Sequence, residues 1–289
     1  MLEKSMKIGI VGLGLIGGSY AQALTDQGFE VGAVDVREEA IRYASERGWI
    51  RHGRSDADAE YLGQFDLIVF ALYPKTFLEW LRRNQDSLKP GALLTDVTGV
   101  KGGVIQTVQE MLRGDLEFIG AHPMAGREFS GVEYAKKEIF CGANFIITPT
   151  EKNTPRAVET CRELAQALGF GRITALTPEK HDEMIAFLSQ LTHCVAISLM
   201  TCRDGEDLAE FSGDSFRDLT RIARINDEMW SELFLLNRDA LLRQMDRFEE
   251  AFDRLRRCIA DGDREEMRKI MRRSTEERAK FDKKERTSV

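Results

Sequence analysis

The sequence is poor in anything that could build a metal centre. Four histidines and five cysteines are spread over 289 residues. No cysteines stand as a CxxC pair, and no zinc-ligand spacing occurs. The cysteines (Cys141, Cys161, Cys194, Cys202, Cys258) are odd in number and unclustered, which points to reduced thiols and a cytoplasmic home rather than a disulfide scaffold. No apolar run approaches the roughly 20 residues of a membrane helix. Lys7, an apolar stretch and Ala21-Gln22-Ala23 imitate a secretory leader, but glycines interrupt the stretch and another role accounts for them. Basic excess is missing too: 48 acidic residues outnumber 41 basic ones, a net charge of −7. Even the arginine-rich end from Leu241 sets 15 basic against 12 acidic residues, a mixed solvated surface. Nucleic acid is therefore not an expected partner, nor is a membrane. No internal repeat and no low-complexity linker divides the chain.

What is present is alternation. KIGIV (7–11), EVGAVD (30–35), DLIVF (66–70), ALLTDV (92–97), LEFIGA (116–121), NFIITP (144–149) and RITAL (172–176) read as short apolar strands, with helical patterns between them. That grammar predicts an α/β fold, a Rossmann-type and mostly parallel sheet covered on both faces. After Thr177-Pro178 no convincing strand recurs. HDEMIAFLSQLTHCVAISLMTCRDG is apolar all round, a helix buried on most sides. Phe248, Phe252, Leu255 and Ile259 repeat at helical spacing; Gly262 breaks that helix, and a last one follows to about Lys280. The expected domains are thus 1–176 and an all-helical 177–289. An apolar helix in so small a domain needs a packing partner, and a second copy of the chain is the expected one.

Gly12-x-Gly14-x-x-Gly17 follows the first strand directly and opens a helix. In such a turn the first glycine permits the tight bend. The second lets a pyrophosphate approach the backbone, and the third lets helix and strand pack closely. The backbone N–H groups of Leu15, Ile16 and Gly17 then face the phosphates at a positive helix end. Asp35 ends the second strand, 18 residues beyond Gly17, where a carboxylate accepts from adenosine ribose hydroxyls. Its charge favours NAD over NADP. Arg37, two residues on, is the residue that could accommodate a 2′-phosphate.

His122 lies at the carboxyl end of a strand, where open α/β sheets bind ligands. Pro123 holds it extended, and Ala125-Gly126 leave room beside it. An imidazole there can accept a proton while hydride leaves the same carbon. A loop histidine capping backbone groups would occupy the same place. At this point GLGLIGGS, HPMAG followed by SGVEYA, the helix with SQLTH, and FRDLTRIA leading to MW together make the chain resemble the prephenate/arogenate dehydrogenases of tyrosine biosynthesis. The likeness runs from Lys7 to about Asn237. HPMAG and FRDLTRIA are its specific parts, whereas the glycine turn is shared by many dehydrogenases.

The resemblance implies NAD-dependent oxidative decarboxylation of prephenate to 4-hydroxyphenylpyruvate, or of arogenate to tyrosine, or both. It implies a helical domain that binds substrate and forms the dimer. By resemblance His122 takes the hydroxyl proton, and Arg221, of TRIA, binds a substrate carboxylate with a bidentate cation. His193 and Trp230 line the pocket, although core packing would explain either, and Glu128 orients groups around the site. His52 and His181 match no motif and are read as structural or exposed. The sequence departs from the family where a glycine-serine pair before VK is usual. Here TDVTGVK puts Thr98 one position early and Gly99 in the serine's place, so either Thr98 supplies the hydroxyl or the backbone does. Arg127 follows HPMAG, and a cation there favours the keto acid over arogenate's ammonium. Two other readings stand beside this one. A two-domain β-hydroxy acid dehydrogenase would rely on a lysine in its second domain, and a non-catalytic dinucleotide sensor would not need His122, Arg221 and His193 together.

Overall fold

A computed structural model describes residues 1–56, 58–126, 129–204 and 208–282. Eight strands form one sheet: β1 (Lys7–Val11), β2 (Glu30–Val34), β3 (His52–Arg54), β4 (Leu67–Phe70), β5 (Leu93–Asp96), β6 (Glu117–Met124), β7 (Asn144–Thr148) and β8 (Arg172–Ala175). Their order is β3-β2-β1-β4-β5-β6-β7-β8. The first six run parallel, β7 pairs antiparallel with β6, and β8 follows β7. The mostly parallel sheet read from the sequence is thus present, with β3 added to it. The order reverses between β1 and β4, the position where such sheets open a ligand crevice at the strands' carboxyl ends.

Helices α1 (Leu15–Asp26), α2 (Glu38–Glu46), α3 (Ala59–Leu62), α4 (Pro74–Asn84), α5 (Gly102–Met111) and α6 (Pro155–Ala167) connect the strands. Side chains alternate between two cores, as the strand period requires. Ile8, Ile10, Leu67 and Val69 join Tyr20, Leu24 and Leu164 on one face. Val11, Ile68 and Phe70 join Phe77, Leu81, Val104 and Val108 on the other. Each such side chain contributes about 1.5–3 kcal/mol by leaving water, which makes the sheet a rigid platform for its carboxyl edge.

Beyond Thr177, whose hydroxyl caps Lys180 N–H, the regular structure among the described residues is helical. A continuous helix is made of α7 (Pro178–Ile185), a π-helical turn (Ala186–Leu191) and α8 (Thr192–Thr201). Then follow α9 (Asp214–Thr220), a 3₁₀ turn (Arg221–Ala223), α10 (Asp227–Leu236), α11 (Arg238–Asp261) and α12 (Arg264–Ala279). The chain divides into two compact units, Met1–Arg238 and a second beginning at Asp239, so α7 to α10 belong with the sheet.

One expectation needs correction. By length and composition the helix Pro178–Thr201 is long and apolar enough to cross a membrane, with a mean hydropathy of 1.5 in its most apolar stretch. Gln190, Thr192 and His193 interrupt the apolar run without adding charge, and this hid it. Nor is the helix buried on most sides within one chain: only 28% of that stretch is covered, and Phe187, Leu188 and Met200 are exposed.

Candidate active site

The glycine turn has the geometry its spacing implies. Gly12 sits at φ +98°, where a side chain is strained, and a Cβ on it would lie 2.5 Å from the Ala71 carbonyl. A Cβ on Gly17 would lie 1.9 Å from the Gly12 carbonyl, so the start of α1 is in contact with the turn. Gly14, the residue before α1, faces open space. Space before an N-terminal turn that includes Leu15, Ile16 and Gly17 is where a pyrophosphate fits. Asp35, 8% exposed, accepts from Leu13 N–H at 2.5 Å and from Arg37 N–H at 2.8 Å. The Arg37 guanidinium reaches the Leu13 carbonyl (2.9 Å) and lies 3.4 Å from Asp35. Asp35 therefore closes the turn and still has lone pairs for a diol.

His122 stands in β6, three residues past the last pairing of β6 with β5, and is partly exposed. It pairs with Ile146 of β7, so the strand runs on through Pro123 to Met124. Its Nδ1 lies 2.8 Å from Nε2 of His181, and Nδ1 of His181 lies 2.7 Å from Asp182 Oδ1. Lys101 N–H and Gly102 N–H donate to Asp182 at 2.8 and 2.7 Å, so this carboxylate caps the start of α5. Below them Lys101 and Asp96, both fully buried, form an ion pair at 2.6 Å. Asp96 Oδ1 accepts from Ala121 N–H at 3.0 Å, tying the pair to the residue before His122. Burial pushes the Lys101 pKa down and Asp96 pulls it back up. Burial, then His181, then the Lys101 ammonium push His122 well below the ordinary 6.5. Burial also lowers His181, against the raising effect of Asp182.

Two expectations change here. Thr98 does not present its hydroxyl to solvent. It is 4% exposed, and its oxygen lies against Asp96 Oδ2, 2.9 Å from the Val100 carbonyl and 3.2 Å from the Lys101 ammonium. It is part of the ion-pair network that supports the loop. His181, read as structural or exposed, is fully buried and touches His122. Gly99 is the loop residue beside the imidazole: a Cβ there would sit 4.0 Å from His122 Cε1 and 3.5 Å from Leu233 of α10.

On the helical side His193 and Trp230 stack, with ring centroids 3.7 Å apart and planes at 30°. His193 Nδ1 lies 2.8 Å from the Ser189 carbonyl and so is a donor, leaving Nε2 as the free nitrogen. Burial lowers the pKa of this imidazole. Arg221 is exposed and opens the 3₁₀ turn that packs on α8. Arg127 and Glu128 lie outside the described residues. Asn237 donates to the Asp182 carbonyl (2.9 Å) and to Gln190 (2.7 Å), and Gln190 donates to the Leu233 carbonyl (2.9 Å), binding α10 to α7 and the π turn. Among the described residues no group of three His, Cys, Asp or Glu could hold a metal.

Sequence alone does not mark Asp96, Lys101, Asp182, Gln190 and Asn237, and it gives His181 no role in the site. A polar residue at the end of an apolar strand was the one available signal for Asp96; Lys101 stands just before α5, beyond that strand.

Comparison with known proteins adds an independent line. A family model described as "Prephenate dehydrogenase, nucleotide-binding domain" matches residues 20–175, and one described as "Prephenate dehydrogenase, dimerization domain" matches 177–273. Prephenate dehydrogenase of Bacillus subtilis is 31% identical over 266 residues, covering 89% of this chain and 71% of that protein. Prephenate dehydrogenase from A. aeolicus, solved with hydroxyphenyl propionate and NAD+, superposes with a TM-score of 0.88 at 28% identity, covering 96% of this chain and 98% of that one. Synechocystis arogenate dehydrogenase gives 0.83 at 28% identity, covering 96% and 100%.

Proposed function

Because this chain belongs to the prephenate dehydrogenase family, we propose that it catalyses the NAD-dependent oxidative decarboxylation of prephenate to 4-hydroxyphenylpyruvate, a step of tyrosine biosynthesis. The observation that carries the reading is the placing of His122: a partly exposed imidazole, kept neutral, at the carboxyl edge of the sheet that also carries the glycine turn. NAD, when bound, supplies the hydride acceptor. Gly14 would leave room for its pyrophosphate, the N-terminal turn of α1 (Leu15, Ile16, Gly17) would offer it backbone N–H groups, and Asp35 would accept from its ribose hydroxyls. The Asp35 charge disfavours a 2′-phosphate, so NAD is preferred to NADP.

His122 accepts the hydrogen bond of the ring hydroxyl and takes its proton as the C–H pair leaves as hydride. The bond to the ring carboxylate then breaks, CO₂ departs, and the electron pair passes into the ring. His122 returns the proton to the phenolic oxygen, so the base is unchanged after a turnover. Arg221 binds a substrate carboxylate, His193 offers Nε2, and Trp230 forms a wall held by its stack on His193. Arg127 favours the keto acid and Glu128 orients groups near it, both on sequence grounds. The helical half from residue 177 binds substrate and forms a homodimer, supported by the description of the matched dimerization domain and by the uncovered apolar face of Pro178–Thr201. Unpaired thiols fit a cytoplasmic setting.

Arogenate is the alternative substrate, since a similar structure is an arogenate dehydrogenase. The test is NADH absorbance with NAD⁺ and prephenate, arogenate or β-hydroxy acids. Faster turnover of prephenate is expected, reduced in its preference by Arg127→Ala. Preference for arogenate would move the chain to the other branch of the family.

A further inference from the structure

Three of the four ring nitrogens in the His122–His181 pair are committed, and they determine the fourth. Both oxygens of Asp182 already accept an amide proton from the first turn of α5. A carboxylate so placed has nothing to donate, so His181 Nδ1, 2.7 Å from Oδ1, must carry a proton. A neutral His181 then presents only a lone pair at Nε2. His122 Nδ1 lies 2.8 Å from that lone pair and must be the donor. The lone pair of His122 is left on Nε2.

We infer that His181 is a positioning residue, whose bond to Asp182 holds His122 in the Nδ1–H tautomer with its basic nitrogen turned to the reacting hydroxyl. Full burial of His181 keeps water from competing for either bond. Lys101 enters twice: its backbone N–H holds Asp182, and its ammonium, paired with Asp96, disfavours a second positive charge nearby. The catalytic consequence rests on the proposed reaction; the tautomer does not.

The two are tested separately. Long-range ¹H–¹⁵N correlation spectra of ¹⁵N-histidine-labelled protein at neutral pH, with no substrate, report which nitrogen of each ring is protonated, and the His122→Asn spectrum assigns the signals. His122 is expected to be protonated on Nδ1 in the unaltered protein and to lose that preference in His181→Leu. Protonation on Nε2 in the unaltered protein overturns the inference, whatever the enzyme turns over. In kinetics, His181→Leu is expected to lower kcat about 10²-fold with KM within about threefold. His181→Gln, which keeps an acceptor oxygen towards His122, should recover part of the loss. Equal losses in the two variants, or an unchanged kcat in the leucine variant, also overturn it. If no candidate substrate is turned over, the proposed reaction fails and the spectrum alone decides the tautomer. Should His181→Leu fail to fold, the spectra of the unaltered protein and the glutamine variant decide.

Discussion

His122 can act as a base only while neutral, and its surroundings hold it there. Its pKa is pushed well below the ordinary 6.5, chiefly by burial. The imidazolium is the disfavoured form, so kcat/KM should stay level as pH falls through 6.5 and drop only near the lowered folded value. An acid limb at or above 6.5 in the pH profile would contradict this. Stability follows the same sign. Above 6.5 both folded and unfolded histidines are neutral; below it only the unfolded chain gains the proton, so stability is lost as pH falls from 6.5 towards the folded values of His122 and His181. Denaturant midpoints across that range measure the loss. His122→Asn should lower kcat by about 10²–10⁴-fold with the Kd for NAD unchanged, and Arg221→Ala should raise KM, both read from steady-state kinetics and cofactor titration. His122 was legible because strand end and proline mark it locally. His181 was not, because its role arises from packing against a residue 59 positions away, and an HD pair at a helix start looks like any solvated first turn.

At the scale of elements, the second and third glycines of the motif separate binding from folding. Gly14→Ala meets open space, so Tm should hold while the Kd for NAD rises. Gly17→Ala drives a methyl to 1.9 Å from the Gly12 carbonyl, an overpacking of about 1–3 kcal/mol that should lower Tm directly. Thermal melts with NAD titrations distinguish the two. Strands buried on both faces were read from their continuous apolar runs. β3 escaped because its three residues, HGR, are mostly exposed, and the reversal at β7 escaped because an apolar run carries no direction. The break between α10 and α11 lies at Asn237, whose amide serves Asp182 and Gln190, a tertiary contact that periodicity does not record. The π turn is equally silent in sequence, yet it matters. His181 and His193 are 12 positions apart, roughly 120° apart around a regular helix. One inserted residue makes the interval act as about three turns, bringing the two imidazoles to within roughly 20° of one face.

For the whole molecule, one chain leaves too much apolar surface in water. Phe187, Leu188, Met200, Leu235, Phe248 and Phe252 are all exposed, beyond the scattered singles normal for a monomer. Light scattering should give twice the 32.8 kDa chain mass, and Phe187→Asp should shift the mass towards one chain. A monomeric unaltered protein would refute the proposed homodimer. The change from strands to helices was legible because strand grammar stops at Thr177; the division of the compact units at Arg238 was not, because α7 to α10 pack with the sheet by tertiary contacts. The extent of the uncovered face was not, because a helix apolar all round does not say whether its own chain or another one covers it. The helix Pro178–Thr201 then sets a practical floor on concentration. Association obeys mass action, so at extreme dilution the separated chains carry a partly uncovered greasy rod that sticks to tube walls and micelles, and apparent specific activity will sink with dilution until carrier protein is added.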